Sequence, residues 1–160
     1  MKFLTVSVLS ILVLAAACGG GSSNPGDAVT GMFGALNAGD GEKAVSYMSE
    51  SALEEMDTQL EILKVDPELS AQQLSSVGIE IDAADIPDMT ARELAVAMIS
   101  SPMITSIIQS AEVSIGEVSI DGDLAQVEVT TTVMGESETH TIDVVMEDGQ
   151  WKVTEFGFNM

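Results

Sequence analysis

The stretch Glu112-Val113-Ser114-Ile115-Gly116-Glu117-Val118-Ser119-Ile120-Asp121-Gly122-Asp123-Leu124-Ala125-Gln126-Val127-Glu128-Val129-Thr130-Thr131-Thr132-Val133 decides the fold class. Its apolar residues recur with a period of two and most are β-branched, which is the pattern of half-buried strands. Val113 and Ile115 alternate in one phase, Val118 and Ile120 in the other, so an extra residue near Gly116 predicts a β-bulge. Asp121-Gly122-Asp123 reads as a turn, and the next strand sets Val127, Val129, Thr131 and Val133 against Gln126, Glu128, Thr130 and Thr132.

Downstream the alternation continues. A turn at Gly135-Glu136-Ser137 leads into Ile142, Val144 and Met146, and Glu147-Asp148-Gly149-Gln150 carries the Asp-Gly hairpin signal. A last strand is predicted from Trp151 to Phe158. Upstream the period is helical. Asn24 and Pro25 suit an N-cap and first helical position, with Val29, Met32, Phe33 and Leu36 on one face and Gly39 as a stop. A short helix capped by Asp40 is expected from Gly41 to Met48. Ser51 to Glu54 reads as a capping box opening a third helix that Pro67 ends. Leu69, Leu74 and Val77 suggest a weak helix, followed by an acidic loop from Ile79 to Asp88. Thr90 to Glu93 opens another helix, and Ser101-Pro102 restarts it with an apolar stripe of Met103, Ile104, Ile107, Ile108 and Ala111. Helices followed by an antiparallel meander of four strands place the chain in the α+β class.

The N-terminus addresses location. Lys2 precedes Phe3 to Ala17, a run whose polar members are Thr5, Ser7 and Ser10. That is the shape of an export signal, shorter than the about 20 apolar residues a bilayer span needs. Leu14-Ala15-Ala16-Ala17-Cys18 resembles the lipobox of bacterial lipoproteins, departing from the commonest pattern at Ala15. This resemblance implies cleavage between Ala17 and Cys18 with acyl chains on the cysteine; an ordinary secretory cut would instead leave Cys18 a free thiol. Residues 1–17 are therefore read as signal peptide, 18–24 as a Gly-Ser tether and 25–160 as one domain. Gly19 in place of an aspartate suits sorting to an outer membrane facing the periplasm, in a bacterium with two membranes.

Cys18 is the sole cysteine, so the domain must be held by packing alone. Cleavage removes Lys2 and leaves Lys43, Lys64, Arg92 and Lys152 against 26 acids, a net charge of −22. Such a field repels nucleic acid and anionic lipid. Membrane attachment must then come from the acyl chains.

Two segments resemble the nuclear transport factor 2-like superfamily, in its export-associated lipoprotein branch. One runs from Pro25-Gly26-Asp27-Ala28-Val29 through Ala35-Leu36-Asn37-Ala38-Gly39-Asp40-Gly41-Glu42-Lys43-Ala44; the other joins Gly122 to Val129 with Val144-Val145-Met146-Glu147-Asp148-Gly149-Gln150-Trp151-Lys152-Val153. The resemblance implies a curved sheet folded around the helices into a cone with a cavity. Such cones serve isomerases, dehydratases, hydrolases and proteins that only bind, so fold alone does not assign an activity. Residues 45–110 are longer and more helical than the family's minimal pattern.

For catalysis an isomerase-like site needs a carboxylate base in an apolar pocket and an oxyanion donor. No catalytic residue is assigned. The possible pocket residues are Tyr47, the sole tyrosine, His140, the sole histidine and in phase with Ile142, and Trp151, expected to drop its ring into the core while Lys152 points to solvent. Glu80, Asp82, Asp85 and Asp88 offer oxygen ligands for a cation but lack the spacing of a calcium loop, so no metal ligand and no cofactor is assigned. The scattered methionines read as adaptable core filler. The leading expectation is a non-enzymatic envelope lipoprotein binding a partner protein or small apolar ligand; a small-molecule enzyme and an acidic cation binder are the alternatives.

Overall fold

The structure, a computed structural model, describes residues 22–155. Six α-helices precede four strands: α1 (Pro25–Asn37), α2 (Gly41–Ser46), α3 (Glu50–Leu63), α4 (Pro67–Ser76), α5 (Ala91–Ile99), α6 (Pro102–Gln109), then β1 (Ala111–Asp121), β2 (Leu124–Val133), β3 (Glu136–Glu147) and β4 (Gln150–Val153), with a 3-10 turn at Ile86–Asp88 in the acidic loop. The strands form one antiparallel sheet in the order β1-β2-β3-β4, with the helices packed on it. This is the α+β meander that the change of period predicts.

Each helix start has a side-chain cap. The Asn24 side chain accepts from the Gly26 and Asp27 N–H groups, Asp40 from Lys43, Asp66 from Leu69, and Ser101 from Ile104. Thr90 and Glu93 form the reciprocal capping box. Three helix boundaries differ from the sequence reading: α2 ends at Ser46, short of the expected Met48, and α3 and α4 start elsewhere. The cap of α3 is Ser49, not Ser51, and Ser49 is fully buried. Its N–H donates to the Val153 carbonyl at 2.9 Å, so a tertiary strand contact selects the earlier of two serines. Pro67 opens α4 at its first turn instead of ending α3, which stops at Leu63. Ser70 Oγ then donates to the Leu63 carbonyl and ties the two helices.

The bulge falls as expected. Ile115 pairs with Val129 and Val118 with Val127, so three steps on β1 match two on β2. Both apolar pairs of β1 therefore face the helices despite their opposite phases. Gly116 sits at this bulge, where an added Cβ would displace the Glu128 carboxylate. The β2–β3 turn is Met134-Gly135, one residue before the expected start, with both residues at positive φ as a two-residue hairpin loop requires. The β3–β4 turn at Asp148-Gly149 has the same backbone sign. β4 ends at Val153, shorter than predicted, because Thr154 and Glu155 bend away from the ladder; Phe156 to Phe158 lie outside the described residues.

The core fills the space between sheet and helices. Ala125, Val127, Val129, Ile142, Val144, Trp151 and Val153 on the sheet meet Val29, Met32, Leu36, Val45, Leu60 and Leu94 from the helices, all buried. The α6 stripe is only partly used: Ile108 is buried, whereas Met103 and Ile107 are exposed because α6 packs on α1 and β1 along one side alone. The outer edge of β4 is covered by Ser22, paired with Trp151, and by residues 47–49 beside Val153. The ordered fold thus engages Ser22 and Asn24, inside the segment read as tether. Among the described residues no single helix is long and apolar enough to cross a membrane.

Candidate functional site

Cross-strand register aligns the helix-facing side chains in rows. Ala125 lies opposite Val144, Val127 opposite Ile142, Val129 opposite His140, Thr131 opposite Glu138 and Val133 opposite Glu136. The first rows are apolar and closed; Val127 and Ile142 are both fully buried. The centre of the helix-facing side of the sheet is therefore packed with side chains. Beyond His140 the row becomes polar and ends in the exposed Glu138 and Glu136.

The three pocket residues expected from sequence occupy different places. Tyr47 caps the C-terminus of α2, half-buried, with its ring laid on Gly31 of α1, and its carbonyl accepts from Val153 N–H at 2.8 Å. Trp151 is buried in the same end of the domain, paired with Met146. His140 shares that face of β3 but lies six residues away from Met146, about 20 Å along the strand. Tyr47 and Trp151 are thus brought to one end and His140 to the other. Cys18 and Ala17 lie outside the described residues.

Lys152 is half-buried, not directed into solvent: its Nζ donates to the Ser46 carbonyl at 2.7 Å. Desolvation holds its pKa below the ordinary lysine range, with Arg92 adding to the effect and Glu147 and Asp148 opposing it. The carboxylate of Glu147 accepts from Glu50 N–H at 3.0 and 3.1 Å, which fixes the β3–β4 hairpin to the start of α3. These contacts are structural ties between distant elements.

Among the described residues the polar residues buried as a whole are Ser49, Ser70 and Ser101, which serve as helix caps or interhelix ties. The acids stand at the surface or the rim. In the acidic loop, Glu80 accepts from Ser75 and Asp82 from Ala84 N–H. Among the described residues no three His, Cys, Asp or Glu side chains are grouped to hold a metal ion.

A groove of about 280 Å³ opens at the side of the domain, between α1, α6 and β1. Its apolar walls are Phe33, Ile108, Val113 and Ile115, with Thr30 and Asn37 at the edge. Thr131 on β2, one strand further into the sheet, and His140 on β3, two strands further, carry buried polar atoms, Oγ1 and Nε2, with no hydrogen bond among the described residues. Sequence alternation marks Thr131 as the polar member of an otherwise apolar row, the signal by which it could have been singled out. The groove has no such signal, because its walls come from segments about eighty residues apart.

The fold and site define a small α+β domain with a filled sheet face and a lateral apolar groove. No protein-family model matches the chain. No curated protein matches it either. Among solved structures, a Campylobacter jejuni chain described as an NTF2-like transpeptidase is similar at 15% identity, with 82% of this chain and 98% of that chain covered and a TM-score of 0.43.

Proposed function

We propose that this chain is a bacterial envelope lipoprotein of the nuclear transport factor 2-like type, anchored through acyl chains on Cys18, whose domain binds a ligand or partner without transforming it. The observation that carries the second half is the packing of the concave face. Val127, Val129, Ile142 and Val144 are buried and fill the helix-facing side of the sheet. A carboxylate base in an apolar pocket requires an acid inside the domain. Here Glu136 and Glu138, the acids of that face, sit at its exposed rim.

The first half is supported by the export-signal shape of residues 1–17, the Leu14-to-Cys18 lipobox and the Gly-Ser segment behind it. With a net charge of −22 after cleavage, the domain is repelled by anionic lipid, so the acyl chains alone tether it. Metabolic labelling with palmitate tests the anchor. The wild-type protein should incorporate label and fractionate with membranes, Cys18→Ser should do neither, and globomycin should trap the uncleaved acylated precursor. Unlabelled, membrane-free wild-type protein overturns the anchor.

A further inference from the structure

The sheet has one covered edge and one open edge. Ser22 and residues 47–49 lie along β4, whereas β1, at the other side, pairs with β2 alone among the described residues. Alternate backbone N–H and C=O groups of such an edge strand point outward, a template for one more strand. Over its first five residues the open edge borders the lateral groove: Ala111, Val113 and Ile115 form one wall, and Phe33, Gly34 and Ile108 face them. The bulge between Ile115 and Val118 then interrupts the regular ladder. On the other face of the same stretch Glu112 is exposed, and Glu117 and the Glu128 carboxylate stand at the bulge beside Gly116. The four elements around the groove, α1, α6, β1 and β2, contain no lysine or arginine. Lys43, Lys64, Arg92 and Lys152 lie instead on α2, at the end of α3, on α5 and on β4.

We propose that a short cationic segment of a partner protein adds to the sheet as a fifth strand along residues 111–115 of β1, with alternate side chains seated in the groove between α1, α6 and β1. The proposal rests on the reading of the domain as a binding module and names its partner's chemistry. The strand edge calls for donors and acceptors that alternate along a line about 4.8 Å away, which an extended polypeptide supplies. In that conformation every second side chain points to the helix side, where Val113, Ile115 and Phe33 favour an aliphatic group. The intervening side chains point to the outer face, where Glu112 and Glu117 favour lysine or arginine. A second copy of this chain has the wrong charge. Pairing β1 with itself brings Glu112, Glu117 and Asp121 against the same acids of the other copy, between two domains that each carry 26 acids. The acids and the bulge that keep this edge from pairing with itself thus leave it open to a strand of opposite charge.

Calorimetric titration of the purified full chain with an end-blocked heptapeptide of alternating lysine and valine tests this. The expected result is saturable one-to-one binding. N-methylation of the three central residues should weaken it about tenfold or more, because it removes backbone donors and holds the peptide off the edge. Serine in place of valine should weaken it about tenfold or more by emptying the groove, and glutamate in place of lysine should abolish it. Gly34→Leu should weaken binding of the parent peptide about tenfold or more, since a Cβ at Gly34 meets nothing within 4 Å and a larger side chain enters the groove. Glu112→Lys, at an exposed position, should weaken it several-fold and leave the urea midpoint unchanged. Absence of saturable binding overturns the proposal. So does binding that ignores both N-methylation and Gly34→Leu, which marks attraction to the acidic surface at large. Sedimentation equilibrium of the chain alone should show a monomer; a dimer that the peptide or Glu112→Lys disperses assigns the edge to a second copy and overturns the cationic partner. Each of these failures leaves palmitate labelling at Cys18 and the packed face of the sheet intact, so the broader reading is judged separately.

Discussion

Replacing Ile142 by alanine measures whether the concave face of the sheet is filled or hollow. Ile142 is fully buried and lies opposite Val127, itself fully buried. The substitution removes three carbons at about 0.8 kcal/mol each, or about 2.4 kcal/mol of transfer free energy. In a filled core the neighbours collapse only partly, and the remaining hole adds up to about 2 kcal/mol, within the about 2–5 kcal/mol seen for such truncations. The expected loss is therefore about 3–4 kcal/mol. Had Ile142 lined a hydrated cavity, its side chain would already face water and the loss would fall to about 1 kcal/mol or less. Urea unfolding followed by the fluorescence of Trp151, the sole tryptophan and a buried one, reads the difference directly. A loss below about 1 kcal/mol with an unchanged m-value refutes the packed sheet face and reopens the enzyme reading.

Ser49→Ala should cost about 1–2 kcal/mol, because it strips the buried cap from α3, whereas Ser51→Ala should cost less than about 0.5 kcal/mol; chemical denaturation of the pair ranks the two serines. Gly31→Ala should destabilise the domain although alanine is the better helix former, since its Cβ would come within 2.5 Å of the Tyr47 ring, and the sign should reverse in a Tyr47→Ala background. Glu93 accepts from the Thr90 backbone N–H and hydroxyl, which hold its pKa below the ordinary glutamate range. Because the folded pKa is the depressed one, the stabilisation is complete above the unfolded value, about 4.3, and disappears as pH falls through the folded value. Urea midpoints measured from about pH 6 down to pH 3 should fall less steeply for Glu93→Gln than for wild type. Lys152 follows the same sign in an alkaline window: its folded pKa is also lowered, so stability should rise as pH climbs from the folded value toward the ordinary lysine value of about 10.4, and Lys152→Met should remove that rise.

The elements that were legible are those whose signals are local. The Asn24-Pro25 start, the Thr90–Glu93 box, the Ser101-Pro102 restart and the bulge between Ile115 and Val118 each depend on residues within a few positions of one another. Where two local signals compete, a distant contact decides. Ser49 and Ser51 are both capable caps, and the Val153 carbonyl, a hundred residues later, selects Ser49. Pro67 is equally suited to following one helix or opening the next; Asp66 before it, accepting from Leu69 N–H, makes it an opening.

The candidate site divides the same way. Alternation alone puts Thr131 and His140 on the helix-facing side of their strands, since that depends only on the pleat and on which residues are apolar. Whether their polar atoms are partnered depends on which helix lies over them and how closely, and that is a property of the packed domain. The packed concave face and the lateral groove are likewise tertiary results. Both depend on how far α1 and α6 settle onto β1 and β2, a distance set by the summed volumes of side chains remote in sequence. The sequence by itself determined the class of fold, the order of its elements and the acidity of its surface, because periodicity, caps and charge are properties of neighbours along the chain. Only the tertiary structure decided which of the inward-facing residues are buried without a partner and which side of the domain is open, because burial is a property of neighbours in space.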